Sequence, residues 1–305
     1  MPSKTFLCGL LFFLALIACP GTAQEFARPS VTAPTHIGGT VVVAVAVSDG
    51  IVLAADSRLT LIYPPTIVPQ YKIISDSAYK LFSVGRVGIA TWGEAVILGR
   101  TVASLVTEFD KTDQGDKTDV EQVAARYYKY FSARYQELPK DNPKPSLGFV
   151  FAGYDRKGVG RLIELQFPAP GEPTTTSYGT TSPGVLWRGQ TDVILRLIKG
   201  FDPSMRDLLD SNLLQCLDKD TKEKVVAKIG GMEYTIPFKG FMLQDAIDLA
   251  LSLVQTTVDM QRFSFGVNAS SNGSIPGVGG AVDVLAINPY ELTWVKRKQL
   301  TAPVR

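Results

Sequence analysis

Residues 40–58 read TVVVAVAVSDGIVLAADSR. Thr40 to Val47 is an unbroken β-branched and apolar run, Ser48-Asp49-Gly50 is a turn signal, and Ile51 to Ala55 is a second apolar run. Two buried strands joined through an Asp-Gly turn is the natural reading of such a pattern. In a hairpin the start of the first strand and the end of the second lie at the same end. Thr40 and Asp56, sixteen positions apart in the chain, are therefore expected to be neighbours.

Downstream, KIISDS, YKLFSVG and VGIAT read as further short strands, and EAVILGRTVASLVTEF after Gly93 carries helical spacing. Thr118 and Glu121 make a capping box before a helix, VEQVAARYYKYFSARYQEL, that stops at Pro139. LGFVFAGYD and RLIELQF follow as strands around the Arg156-Lys157-Gly158 turn. Helices are then expected around QTDVILRLIKGF and MRDLLDSNLLQCL, with a hairpin across Gly230-Gly231. Phe241 to Met260 is a long amphipathic helix, and AVDVLAI and ELTWVKR close the chain as strands. Clustered strands and paired helices predict an α+β fold, two antiparallel sheets stacked between helical layers. With no internal repeat and no linker-like stretch, residues 40–300 are expected to form one domain.

Upstream, residues 1–23 read as an export signal: Lys4, then FLCGLLFFLALIA from Phe6 to Ala18, then Gly21-Thr22-Ala23 as a small-residue cleavage site. That apolar stretch is too short to span a bilayer of about 30 Å, so no stable membrane span is expected. The address predicts a secreted or periplasmic protein. Leu16-Ile17-Ala18-Cys19 also matches a lipoprotein box, which would lipidate Cys19. Residues 24–39, rich in Pro, Thr and Gly, read as a pro-segment.

The 305 residues carry 31 Lys and Arg against 29 Asp and Glu, a balance that gives no reason to expect nucleic acid as a partner. His36 is the single histidine, so any mechanism that needs two is excluded. Cys8, Cys19 and Cys216 form no CxxC pair, which rules out a zinc knuckle or a disulfide framework. Cys216, in LLQCL, reads as a small core residue. No metal and no cofactor is expected.

Chemistry without histidine is available at Thr40. Were the chain cut after Gly38-Gly39, one residue would carry a hydroxyl nucleophile and a free α-amine whose pKa near 7.7–8.0 suits a base. A lysine nearby would depress both pKa values, and a carboxylate would hold that lysine charged and oriented. Asp56 and Lys72, a further sixteen positions on, are the candidates.

GTVVVAVAVSDGIVLAADSR, with Gly-Thr at the boundary and AADSR after the hairpin, resembles the start of proteasome β-type subunits, which are amino-terminal-nucleophile hydrolases. The resemblance implies a four-layer α-β-β-α sandwich, self-cleavage before Thr40 and threonine peptidase activity, with Asp56 and Lys72 at the family's spacings. It extends to GIATWGEA, where Gly93 would supply an oxyanion-hole N–H, and to TTSPGVLWRG, where Ser182 would support the amino-terminal group. It implies peptide or unfolded-protein substrates and a homo-oligomer. The stretch SIPGVGG departs from the family's late aspartate and serine, and residues 264–278 read as an insertion that leaves Asp259, Ser271 and Ser274 as substitutes. Two other functions stay open: a non-catalytic subunit of the same fold, and an amidohydrolase acting on small amides.

Overall fold

The hairpin of β2 (Val41–Val47) and β3 (Gly50–Ala55) lies at the centre of a five-stranded antiparallel sheet, and every residue of both strands is buried. A computed structural model describes residues 36–63, 71–140, 144–168, 172–201, 217–264 and 276–299. The expected export signal, most of the pro-segment, the helix around MRDLLDSNLLQCL with Cys216, and Ser271 and Ser274 lie outside the described residues.

In chain order, β1 (His36–Gly38) precedes the hairpin. It is followed by β4 (Leu59–Ile62), β5 (Tyr71–Ser75), β6 (Leu81–Val84) and β7 (Val87–Gly93). A small hairpin, β8 (Val96–Ile97) and β9 (Arg100–Thr101), leads into α1 (Val102–Thr112) and α2 (Val120–Glu137). Then come β10 (Leu147–Tyr154), β11 (Gly160–Phe167), β12 (Thr174–Gly179) and β13 (Gly184–Gly189). Helices α3 (Asp192–Lys199), α4 (Lys219–Gly230) and α5 (Leu243–Phe263) precede the last pair, β14 (Asp283–Ile287) and β15 (Leu292–Lys296).

The hairpin's sheet has the order β13-β2-β3-β14-β15, and a second antiparallel sheet has the order β12-β11-β10-β7-β6. Along β2 the sequence alternates valine with alanine, and the two sets face different neighbours. Val42, Ala44 and Ala46 share a cluster with Ala90, Val150, Ala152 and Leu162 of the second sheet. Val41, Val43, Val45 and Val47 pack with Ile194 of α3 and Ala246, Ala250 and Leu253 of α5. A strand buried on both faces has no polar side, which is why its sequence is a continuous apolar run. The second sheet's other face carries α1 and α2, whose Phe109, Tyr127 and Phe131 meet Phe149 and Phe151. Tyr127 stacks on Phe131 at 4.6 Å and meets Phe149 edge-on at 4.9 Å, contacts that add about 0.5–1.5 kcal/mol each beyond area burial.

Several local expectations are corrected. The helix expected from Glu94 begins at Val102, because Leu98-Gly99 is a two-residue turn that closes the β8–β9 hairpin first. Asp119, rather than Thr118, caps α2: its carboxylate accepts from Glu121 N–H at 2.9 Å, while the Thr118 hydroxyl donates to Asp116. Gly230-Gly231 ends α4 and is not a hairpin turn. GVLWRG, which follows Ser182 and for which no element is expected from the sequence, is strand β13 paired with β2.

Candidate active site

Thr40 lies immediately before β2, and Asp56 immediately after β3. The register pairs Val42 with Ala55, so the two residues share one end of the sheet. Both are buried, at 5% and 1% exposure. The Asp56 carboxylate accepts from three backbone N–H groups: Val41 at 3.0 Å, Arg58 at 3.1 Å and Gly279 at 3.0 Å. A buried carboxylate needs such partners or a counter-charge.

The counter-charge is Lys80. Its Nζ lies 2.9 Å and 3.0 Å from the two oxygens of Asp56, with both side chains almost wholly enclosed. Nζ also donates to the carbonyl oxygen of Gly39. The Thr40 hydroxyl donates to that same oxygen at 2.6 Å. The bond between Gly39 and Thr40 is thus approached by the two side-chain groups best suited to act on it. Burial lowers the Lys80 pKa from its ordinary value; Asp56 opposes that shift, while the more distant charges of Lys298 and Arg58 add to it.

Gly39 is held in an unusual conformation. Its φ is +95°, and a Cβ there would stand 2.4 Å from the carbonyl oxygen of Gly277. Only glycine accepts both conditions. The carbonyl of Thr40 is fixed from the other side by Gln190 N–H at 2.7 Å.

Gly93, at the end of β7, lines a cavity of about 220 Å³ together with Thr40, Tyr79, Lys80 and Trp92. A Cβ at Gly93 would lie 2.4 Å from Ser146 O, and its φ is +92°. The structure therefore brings Thr40, Asp56 and Gly93 together. It does not bring Lys72 or Ser182 to them. Lys72 is exposed on β5, opposite Leu61. The reason is topological: between Asp56 and Lys80 the chain makes the β4–β5 excursion, which with β1 forms a separate three-stranded sheet. It returns when Ala78 N–H bonds Ser57 O at 2.9 Å, which delivers Lys80 beside Asp56. Counting sixteen residues stops partway round that excursion.

Ser182 is exposed in the bend between β12 and β13, where it bridges Gly179. Gly184, two residues on, pairs with Ala46, six residues along β2 from Thr40, a separation of about 20 Å at ~3.4 Å per residue. Asp259 is exposed near the end of α5 and accepts from Gln255 at 3.1 Å, so it is no substitute for a site carboxylate. The segment 276–280 serves the site through its backbone: Pro276 O accepts from Thr60, Gly277 abuts Gly39, and Gly279 N–H bonds Asp56. Spacing missed Lys80 and Gly279. The signal for Lys80 was a lysine inside the apolar strand YKLF, since lysine is almost never fully buried unless paired.

No protein-family model matches the chain, and no curated protein matches it. Solved structures do. The helical assembly of the Anbu complex from Pseudomonas aeruginosa matches at 16% identity and TM-score 0.45, covering 81% of each chain. Anbu, the ancestral β-subunit, from Yersinia bercovieri matches at 14% and 0.45, covering 84% of this chain and 86% of that one. Anbu from Hyphomicrobium sp. strain MC1 matches at 16% and 0.44, covering 83% and 84%. The expected membership of the proteasome β-type family is corrected by these findings. No family model and no curated protein supports the β-type assignment, and the solved structures that match carry the name Anbu.

Proposed function

We propose that this chain is a self-processing hydrolase that cuts its own Gly39–Thr40 bond and then uses Thr40 as an amino-terminal nucleophile against peptide bonds. One observation carries the reading: Thr40 Oγ and Lys80 Nζ converge on the carbonyl oxygen of Gly39. In the uncut chain, Oγ attacks the Gly39 carbonyl carbon and the developing oxyanion is stabilised by the Lys80 ammonium, a fixed charge on an enclosed side chain. The C–N bond breaks as the hydroxyl proton passes to the Thr40 nitrogen, leaving Gly39 esterified to Oγ. The α-amine is free once that bond breaks; water then hydrolyses the ester, releasing the Gly39 carboxylate and restoring the Thr40 hydroxyl. That amine then acts as general base for Oγ on incoming peptides, with Asp56 holding Lys80 in place.

The same proposal includes the four-layer arrangement of an amino-terminal-nucleophile hydrolase, supported by the clusters on both faces of each sheet. It includes export through residues 1–23, one domain over 40–300, and work as an assembly of identical copies. A second reading, a non-catalytic subunit, draws on segment 276–280, which offers the site backbone groups and no side-chain hydroxyl or carboxylate. Hydrolysis of a fluorogenic peptide amide by the processed chain separates the two, and blocking its α-amine by acetylation should abolish that hydrolysis. Unchanged turnover after acetylation would contradict the base assigned here.

A further inference from the structure

The three residues His36 to Gly38 are held as a strand between two partners, and only one of those partners is indifferent to sequence. On one side β1 pairs antiparallel with β4, His36 opposite Ile62 and Ile37 opposite Leu61. On the other side Ala95 N–H donates to Ile37 O at 2.7 Å, and Ile37 N–H donates to Glu94 Oε1 at 3.0 Å. Any extended peptide would offer the same N–H and C=O. The second oxygen of Glu94 is different: it faces His36 Nδ1 at 3.2 Å. The Glu94 side chain is only 9% exposed, while that of His36 is 54% exposed. The carboxylate is thus built into the groove, and the group it meets is a replaceable side chain at its rim.

We propose that Glu94 is a specificity-determining residue, selecting peptides with a basic side chain at the fourth position before the bond to be cut. The inference rests on the reading of Thr40 as nucleophile, since Gly39 is then the first position and His36 the fourth. Once residues 36–39 leave with the pro-segment, an incoming strand meets the same β4 edge and the same carboxylate. With Oε1 engaged by a backbone N–H, Oε2 needs a donor or a positive charge from the side chain at position four. An arginine, lysine or histidine supplies one, an apolar residue supplies none, and an acidic residue is repelled.

The test follows self-cleavage of the full chain after cell-free synthesis, comparing wild type with His36→Arg, His36→Glu, Glu94→Gln, Glu94→Arg and the pair His36→Glu with Glu94→Arg. His36→Arg should cut at least as fast as wild type, and His36→Glu about fivefold slower, the scale of one partly exposed charge pair. The charge-swapped pair should regain speed. Glu94→Gln keeps an oxygen acceptor for Ile37 N–H, so it preserves the strand and should erase the difference between Arg and Glu at position 36. In trans, processed enzyme should hydrolyse acetyl-Arg-Ile-Gly-Gly amides faster than the Glu-Ile-Gly-Gly series, an order that reverses in Glu94→Arg. Equal rates for Arg and Glu at position 36 in the wild-type background, with self-cleavage proceeding, would overturn the role of Glu94 and leave Thr40 as nucleophile standing. Failure of every chain to cut would sink the nucleophile and the role of Glu94 together.

Discussion

At the scale of single residues, the cation beside Thr40 and Asp56 is Lys80 and not Lys72. Lys80 is enclosed, paired with Asp56 and bonded to the Gly39 carbonyl, whereas Lys72 is exposed on an edge strand. Lys80→Ala should cost about 3 kcal/mol or more of transition-state stabilisation, over a hundredfold in rate, and Lys72→Ala should leave peptide hydrolysis close to wild type. Steady-state kinetics on both processed variants decides between them; a larger loss from Lys72→Ala would contradict the site drawn here. The pH profile follows from the same group. A free α-amine ordinarily titrates near 7.7–8.0, and the Lys80 ammonium beside it disfavours its protonated form, so its pKa moves down; Asp56 offsets part of that. Activity should therefore fall with acid somewhere between about pH 6 and 8. On the alkaline side, burial makes Lys80 lose its proton below the 10.5 of an ordinary lysine, so activity should fall again before that value is reached. Measured kcat/KM that is flat from pH 5 to 10 would exclude both groups.

At the scale of elements, the junction between β1 and β2 sets the geometry at the Gly39–Thr40 bond. Gly39 at φ +95°, pressed against Gly277 O, bends the chain so that the Thr40 hydroxyl reaches back to its own preceding carbonyl. Gly39→Ala should leave the domain folded, since the junction lies outside both sheets, and should slow self-cleavage at least tenfold, because the added Cβ forces the carbonyl away from Oγ and Nζ. Gel analysis of the full chain over time reads this directly; wild-type speed would show that the glycine turn is not needed. The elements also show what sequence could convey. The β2–β3 hairpin, and with it the meeting of Thr40 and Asp56, was legible because a strand buried on both faces writes a continuous apolar run and Asp-Gly writes the turn. Counting could not place the lysine, because nothing in Leu59–Ile62 or Tyr71–Ser75 marks them as strands of a separate small sheet standing outside the count. Glu94 was hidden for a related reason. Helical spacing across 94–109 concealed that its first turn is a β-hairpin whose approach presents a carboxylate to the pro-segment.

At the scale of the whole molecule, two sheets bring three distant stretches to one point. The first sheet carries Thr40 and Asp56, Lys80 leads into edge strand β6 of the second, and the segment before β14 supplies Gly277 and Gly279. Helices α3 and α5 on one sheet and α1 and α2 on the other bury the hydrophobic faces that hold this meeting point fixed. In the uncut chain residues 36–38 already pair with β4 and meet Glu94, and Thr40 Oγ already donates to Gly39 O, so the proposal expects the isolated chain to process itself. Intact mass and amino-terminal sequencing of the purified chain test that claim most directly. Wild type should begin at Thr40, and Thr40→Ala, made and purified in the same way, should retain Gly38-Gly39 ahead of residue 40. A Thr40→Ala chain that also begins at residue 40, or a wild-type chain that stays uncut, would contradict the account.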